Sequence, residues 1–275
     1  MTQSLWNSLS GLTGSLNWLN QTANNLANVN TPGFAADTGS FADTLTQAMS
    51  GRATAVNNAT RYTPPGWWGG TGVAATKTEK NFSQMPLNQT GNKTDLAIQG
   101  NAFFVVQGSN GQPLLTKAGN FIWSQQTNGS FELATPQGQA VLDVNGKPIV
   151  QPGTGNTANP ALANSFSVGP DGQVSFNGKP TQKIALARVF LPGENLTSVG
   201  NNEFALGPGA GGQPVVINRG AGATTSTVVQ GALSGSNVDM STAMANLLQA
   251  QQMYNMNTEA IQLTNRMMND ADTIR

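Results

Sequence analysis

Residues 240–275 read MSTAMANLLQAQQMYNMNTEAIQLTNRMMNDADTIR, and from Ser236 to Arg275 the chain contains neither Gly nor Pro. One apolar seam runs Met240, Ala243, Leu247, Ala250, Tyr254, Asn257, Ile261, Thr264, Met268 and Ala271, at alternating steps of three and four. That spacing predicts a helix with a heptad seam. A second seam, Met253, Met256, Ala260, Leu263, Met267 and Ile274, lies beside it. A helix of about 35 residues spans roughly 50 Å at 1.5 Å per residue. Two adjacent seams make a face too wide for one partner helix.

The other end of the chain mirrors this pattern. Leu5, Leu9, Leu12, Leu16, Leu19, Ala23 and Leu26 repeat at four and three, again an a/d pattern. This helix is expected to stop near Thr31, because Pro32 disfavours α geometry at the residue before it and Gly33 follows. A second short helix is expected with Phe41, Leu45 and Met49 on one face and Ser40 as its N-cap. Gly11 and Gly14 each weaken the first helix by about 1 kcal/mol relative to Ala, so it needs tertiary support.

Between these ends the chain changes character. Asn110-Gly111, Asn128-Gly129, Asn145-Gly146, Asp171-Gly172 and Asn177-Gly178 are hairpin signals, since a type I′ turn needs positive φ at both central residues. Short runs separate them, at Phe103–Val106, Phe121–Trp123, Phe131–Leu133, Val141–Val144, Val174–Phe176 and Ile184–Phe190. The expected fold class is therefore α+β. A discontinuous terminal helical coiled-coil domain carries an inserted antiparallel all-β domain. The expected boundaries are residues 1–50 for the N-terminal helical part, 51–74 for an extended arm, 75–230 for the β domain and 231–275 for the C-terminal helical part. The arm contains Pro64-Pro65-Gly66-Trp67-Trp68-Gly69-Gly70, and Gly207-Pro208-Gly209-Ala210-Gly211-Gly212 reads as a flexible loop.

Composition narrows the function. The 275 residues include 13 basic and 13 acidic side chains, no His and no Cys, and only 9% are charged. An ordinary soluble domain has about 25% charged residues. Polarity comes from amides and hydroxyls instead. Without Cys there is no thiol nucleophile and no cysteine metal site, and without His the usual neutral-pH base and zinc ligand are missing. No cofactor, metal or small-molecule substrate is implied. Zero net charge argues against nucleic acid. No apolar run reaches the length of a membrane span. The first charged residue is Asp37, so a basic-headed secretory leader is not expected.

Seams this long and this poor in charge predict packing in an assembly rather than in a lone subunit. The alternative is an ordinary α+β domain whose terminal helices cover the sheet. The expected assembly residues are Leu5, Leu9, Leu12, Leu16, Leu19 and Leu26 with Asn24, Asn25 and Asn28 in the first helix. In the last helix they are Leu247, Tyr254, Ile261 and Met268, and on its second seam Met253, Met256, Leu263 and Met267. The three Asn amides suit bonding to backbone groups and neighbouring subunits rather than catalysis. Trp67 and Trp68 either anchor a neighbouring subunit or pack locally. Asp95, Glu132, Asp143, Asp171 and Glu203 are scattered carboxylates; no spacing selects a catalytic pair, and turn or strand-end roles fit them better.

Several motifs resemble one family. Ala23-Asn24-Asn25-Leu26-Ala27-Asn28-Val29-Asn30-Thr31-Pro32-Gly33-Phe34 is similar to the N-terminal motif of bacterial flagellar rod and hook proteins. Ser4-Leu5-Trp6 and Gly11-Leu12 resemble the opening of its distal-rod members. Thr90 through Phe104 resembles the start of the family's β domain, and Leu115-Thr116-Lys117-Ala118-Gly119-Asn120-Phe121 its next hairpin. Leu233-Ser234-Gly235-Ser236-Asn237-Val238-Asp239 resembles the C-terminal motif, and the arm ending Gly70-Thr71-Gly72-Val73 resembles an insert of distal-rod and hook subunits. Ser234 stands where the family usually has Glu, and Gln252 where it has Arg, so a family salt bridge is in doubt.

The resemblance implies a structural, self-assembling subunit of the flagellar basal-body rod, a helical homo-oligomer that carries motor torque toward the hook. It implies terminal helices that order on stacking, contact with other rod and hook proteins, and export by the flagellar type III apparatus without a cleaved leader. The alternatives are a proximal-rod or hook-type subunit, or an extracellular carbohydrate-binding or adhesin module.

Overall fold

A computed structural model describes residues 2–39, 41–43, 46–49, 67–70, 73–75, 78–108, 111–126, 129–152, 165–207, 215–216 and 226–273. The chain divides into two compact units, one of Met1–Leu26, Asp37–Thr78 and Met240–Arg275, the other of Ala27–Ala36 and Glu79–Asp239. The architecture is α+β, with a helix at each end and an antiparallel β region between them.

The first unit contains both long helices, Thr2–Ala27 and Met240–Thr273, of 26 and 34 residues. The expected helix around Phe41 and Met49 is instead a pair of strands. Phe41–Asp43 pairs antiparallel with Val73–Ala75, and Thr46–Met49 with Trp67–Gly70, placing Trp68 opposite Ala48 and Trp67 opposite Met49. A repeat of four fits both a helix face and one face of a strand, because four is also a multiple of the strand period of two. Cross-strand pairing decides between them. Ser40, Leu45, Pro64, Pro65, Gly66 and Ile274 lie outside the described residues, as do Asn110, Asn128 and residues 208–214 of the Gly-rich loop.

The β unit is built on a six-stranded antiparallel sheet. Its order is Leu196–Gly200, Glu203–Leu206, Pro113–Thr116, Ala102–Gln107, Leu186–Arg188 and Val215–Val216. The strand Ala102–Gln107 has apolar side chains on both faces, as its run Ala-Phe-Phe-Val-Val requires. Ala102, Phe104 and Val106 enter one core with Phe121, Leu133, Val141, Phe166 and Phe176, while Phe103 and Val105 enter a second with Phe82, Leu115 and Phe204. Each core holds an edge-to-face pair: Phe104 to Phe121 at 5.1 Å in the first and Phe82 to Phe204 at 4.9 Å in the second.

The expected hairpins form, but not all by the expected turn. Asn177-Gly178 has positive φ at both residues, 50° and 75°, as a type I′ turn requires. At Asn145-Gly146 and Asp171-Gly172 only the Gly is positive, at 73° and 78°. A further pair, Asn201 at 51° and Asn202 at 60°, joins the two outermost strands on that side of the sheet. Asn tolerates this region without glycine, so the Asn-Asn dipeptide is itself a turn signal that the Asn-Gly pattern misses.

Candidate assembly surface

The terminal helices are buried along one stripe and exposed along another. On the N-terminal helix the most covered side chains are Ser15 and Thr22, with Gly14 buried and Gly11 half-buried alongside. Ser15 Oγ donates to the Leu12 carbonyl at 2.9 Å, and Thr22 Oγ1 to the Trp18 carbonyl at 2.8 Å. A hydroxyl bonded back to its own helix is buried without needing another partner. The Leu seam lies to one side of this stripe. Leu5, Leu12, Leu19 and Leu26 are half-buried, and Leu9 and Leu16 are exposed. Asn24 is exposed.

The C-terminal helix has a matching stripe. Ala243, Ala250, Asn257 and Thr264 recur every seven residues, and all except half-buried Asn257 are buried. A Cβ added to Gly11 would stand 3.1 Å from the Asn257 amide. The two helices therefore meet at Gly11 and Asn257, where the missing side chain of one admits the amide of the other. Leu247, Tyr254, Ile261 and Met268 flank this stripe, half-buried, and so does Met253. Met256, Leu263 and Met267 are exposed, as are Met244 and Leu248; Leu263 retains 58% of its surface and Leu248 64%. The two C-terminal seams thus differ: between Ala243 and Met268 the first is buried or half-buried, whereas the second has Met256, Leu263 and Met267 exposed and Met253 and Ala260 half-buried.

Asn25 has a local task. Its Nδ2 donates to the Asp37 carbonyl and its Oδ1 accepts from the Asp37 N–H, both at 2.8 Å. Asn28 Oδ1 accepts from Thr31 Oγ1 at 3.2 Å, and the Thr31 N–H bonds the Asn28 carbonyl. The helix ends at Ala27, ahead of Thr31, and these bonds shape the turn that follows. Trp67 and Trp68 are placed by their strand register against Met49 and Ala48; their side chains lie outside the described residues.

In the β unit, the N-terminal and C-terminal motifs come together, a meeting that spacing alone does not foretell. The Gly33 N–H donates to the Ser234 carbonyl at 2.8 Å. Asn237 accepts from the Ala36 N–H at 2.8 Å and donates to the Asn81 carbonyl at 2.7 Å. Asn202 Nδ2 donates to the Pro32 carbonyl at 3.0 Å. Gly33 has φ +69°, and a Cβ there would sit 2.3 Å from the Ala118 nitrogen, so no other residue fits without displacement. Ser234, the departure from the family's Glu, is buried and its Oγ has no partner among the described residues.

The scattered carboxylates lie in turns and strands of the β unit. Asp95 Oδ2 accepts from Thr90 Oγ1 at 2.6 Å, and Asp143 accepts from the Val144 and Lys183 N–H groups. Glu132 sits in the strand Phe131–Ala134, Asp171 in its turn and Glu203 at a strand start. Among the described residues no group of three or more acidic side chains is placed to hold a metal ion. No described helix is long and apolar enough to cross a membrane. Burial lowers the Lys117 ammonium from 10.5 to about 8; its Nζ donates to the Phe82 carbonyl at 3.2 Å and lies 5.3 Å from the centre of the Phe103 ring.

Residues 5–34 match the flagella basal body rod protein family, residues 97–176 the D1 domain of flagellar hook protein FlgE/F/G, and residues 229–274 the C-terminal part of the flagellar basal body rod FlgEFG proteins. The chain is 31% identical over 273 residues to the flagellar basal-body rod protein FlgG of Buchnera aphidicola subsp. Baizongia pistaciae, covering 98% of each. It is 29% identical to FlgG of Borreliella burgdorferi over 100% of this chain and 99% of that one. It is also 32% identical to the basal-body rod protein FlgF of Caulobacter vibrioides, but over 84% of this chain and 81% of that protein. The chain belongs to the flagellar basal-body rod protein family and is a structural subunit of the rod, most like FlgG, the distal-rod member.

Proposed function

We propose that this subunit builds part of the distal rod as a helical homo-oligomer, its terminal helices packing against those of neighbouring subunits. The observation that carries this reading is the exposed apolar stripe Met244, Leu248, Met256, Leu263 and Met267 on a helix whose other seam is buried or half-buried between Ala243 and Met268. Each such side chain contributes roughly 1.5–3 kcal/mol when buried, and a stripe of this length on a subunit marks an interface. The assembly residues are Leu5, Leu9, Leu12, Leu16, Leu19, Leu26, Asn24, Asn25 and Asn28 of the N-terminal helix and Leu247, Tyr254, Ile261, Met268, Met253, Met256, Leu263 and Met267 of the C-terminal helix. Trp67 and Trp68 form an inter-subunit arm. Residues 1–50 and 231–275 make the assembly core, with 51–74 as the arm and 75–230 as the β domain. The protein works without catalysis. Its partners are further copies of itself, other rod and hook proteins, and the flagellar type III export apparatus, which delivers it beyond the cytoplasm without cleaving a leader.

The two FlgG relatives match over 98–100% of this chain against 84% for FlgF of Caulobacter vibrioides, which supports the FlgG-like, distal reading. The test is polymerisation. Leu16→Asp and Leu263→Asp change side chains exposed in the single subunit. Both variants should keep the near-ultraviolet signal of the β unit and lose the ability to form rods. Rods of normal length from both would refute the proposed interface. Helical circular dichroism should also increase when the wild-type subunit polymerises, and no increase would count against coupled ordering of the helices.

A further inference from the structure

Glu203 begins the strand Glu203–Leu206 and is only 3% exposed. Gln139 Nε2 donates to its Oε2 at 2.7 Å. The remaining oxygens are unusual: Glu203 Oε1 and Gln139 Oε1 are both buried, and neither has a hydrogen-bond partner among the described residues. As a carboxylate, Glu203 would bury a charged oxygen without a donor, next to an amide oxygen that also lacks one. Both conditions are expensive in an apolar interior. One added proton removes both, because a carboxylic acid supplies the single donor that this pair of acceptors needs.

We infer that Glu203 is held in the folded β unit as a neutral carboxylic acid, closed onto Gln139 by two hydrogen bonds. In this ring Gln139 Nε2 donates to Glu203 Oε2, and the acid O–H at Oε1 donates to Gln139 Oε1. The folded unit thus carries a proton that the unfolded chain releases in the ordinary carboxylate range.

Among the described residues, the elements flanking the carboxyl offer it no charged partner. The neighbouring strands Pro113–Thr116 and Leu196–Gly200 contain no ionisable side chain, and neither does the segment 135–142 around Gln139. Beyond their ends, the Lys117 amine is bonded to the Phe82 carbonyl, and the Asp143 carboxylate accepts from the Val144 and Lys183 backbone. Glu132, in the strand Phe131–Ala134, is half-buried and pairs across to Val150. Burial raises the Glu203 pKa above 4.5, and the Gln139 N–H opposes that shift more weakly.

The proton sits beside the clamp on the N-terminal turn. Glu203 follows Asn202, whose amide holds the Pro32 carbonyl, and it lies opposite Thr116, whose hydroxyl donates to the Asn202 carbonyl at 2.9 Å. Because the folded pKa is raised, the stabilisation is complete below about 4.5, the ordinary value. It is lost as pH rises through the folded value. The device makes the β unit, and with it the Pro32-Gly33 turn, sensitive to loss of one proton.

Infrared titration of the full-length wild-type chain tests this directly. A protonated-carboxyl C=O band should survive at pH values where ordinary carboxylic acids have ionised, and should vanish when denaturant unfolds the protein. Absence of such a band would overturn the inference even if every variant misfolds. The second measurement compares wild type with Glu203→Gln, whose amide keeps a two-point bond to Gln139 but cannot titrate. The wild-type denaturation midpoint should fall as pH rises from the acid range toward neutrality, with a smaller fall in the variant. Parallel pH profiles would refute the proton linkage.

Discussion

In the β unit the fully buried side chains include large ones, Phe103, Phe104, Phe121, Phe166 and Phe204. In the helical unit they are among the smallest, Ala250, Ser15, Thr22, Ala243 and Thr264, while Leu and Met stay partly or wholly outside. The first pattern is that of a unit that completes its own core. The second leaves the larger apolar side chains of the helices half-buried or exposed. The difference teaches that one chain can hold a unit with an aromatic core of its own beside a helical unit whose larger apolar side chains remain accessible.

The sharpest way to break this contrast is to damage each unit at its own kind of residue. Phe104→Ala should lower β-unit stability by about 3–5 kcal/mol, read from the denaturant midpoint of the near-ultraviolet signal. A loss as small as that of a surface change would deny that this core is self-sufficient.

The next effect comes from Lys117, buried among the aromatics of the same unit. Its folded pKa of about 8 is below the ordinary 10.5, so its contribution to stability is fully present above 10.5 and is lost as pH falls through 8. Stability should therefore rise by about 3 kcal/mol between these values, at about 1.36 kcal/mol per unit. In Lys117→Met this rise should disappear. Denaturation curves across that range distinguish the outcomes.

Gly33→Ala comes third. It imposes a Cβ where the Ala118 nitrogen already sits and where φ is positive, and should cost about 1–3 kcal/mol. Hydrogen exchange at the Gly33-to-Ser234 bond should report it before any change at the exposed helix stripe.

The smallest effect is expected on that stripe. Leu263→Gln should shift the stability of the isolated subunit by no more than about 0.5 kcal/mol. A larger loss, measured below the concentration at which rods form, would mean the stripe is already covered in the single chain.

Much of the fold is legible in the order of residues alone. Gly and Pro punctuation locates the helices and hairpins, and the twofold burial of Ala102–Gln107 follows from an uninterrupted apolar run. Two things are hidden. Phe41, Leu45 and Met49 share a spacing that helices and strands both accept, and only pairing with residues 67–75 resolves it. The side of each helix that faces inward is also hidden. Hydrophobic periodicity marks the Leu seam, whereas burial is greatest at Ser15 and Thr22, which carry no apolar signal. At the candidate surface, the second C-terminal seam is legible as unpartnered because it exceeds what one helix can cover. The motif-to-motif clasp through Asn237 and Asn202 depends on contacts across more than a hundred residues of chain and has no periodic signature.

Gly11 against Asn257 has a consequence for alignment. Ala243, Ala250 and Thr264 are similar in size and recur on a seven-residue spacing, so a helix sliding by two turns would meet nearly the same surface again. Such a track has several equivalent stops and no memory of which is correct. Asn257 is the odd tooth: its amide is wider and polar, and Gly11 offers the gap that admits it. A single polar residue in a heptad seam can specify register at some expense in stability. This one notch indexes the two helices of the subunit against each other.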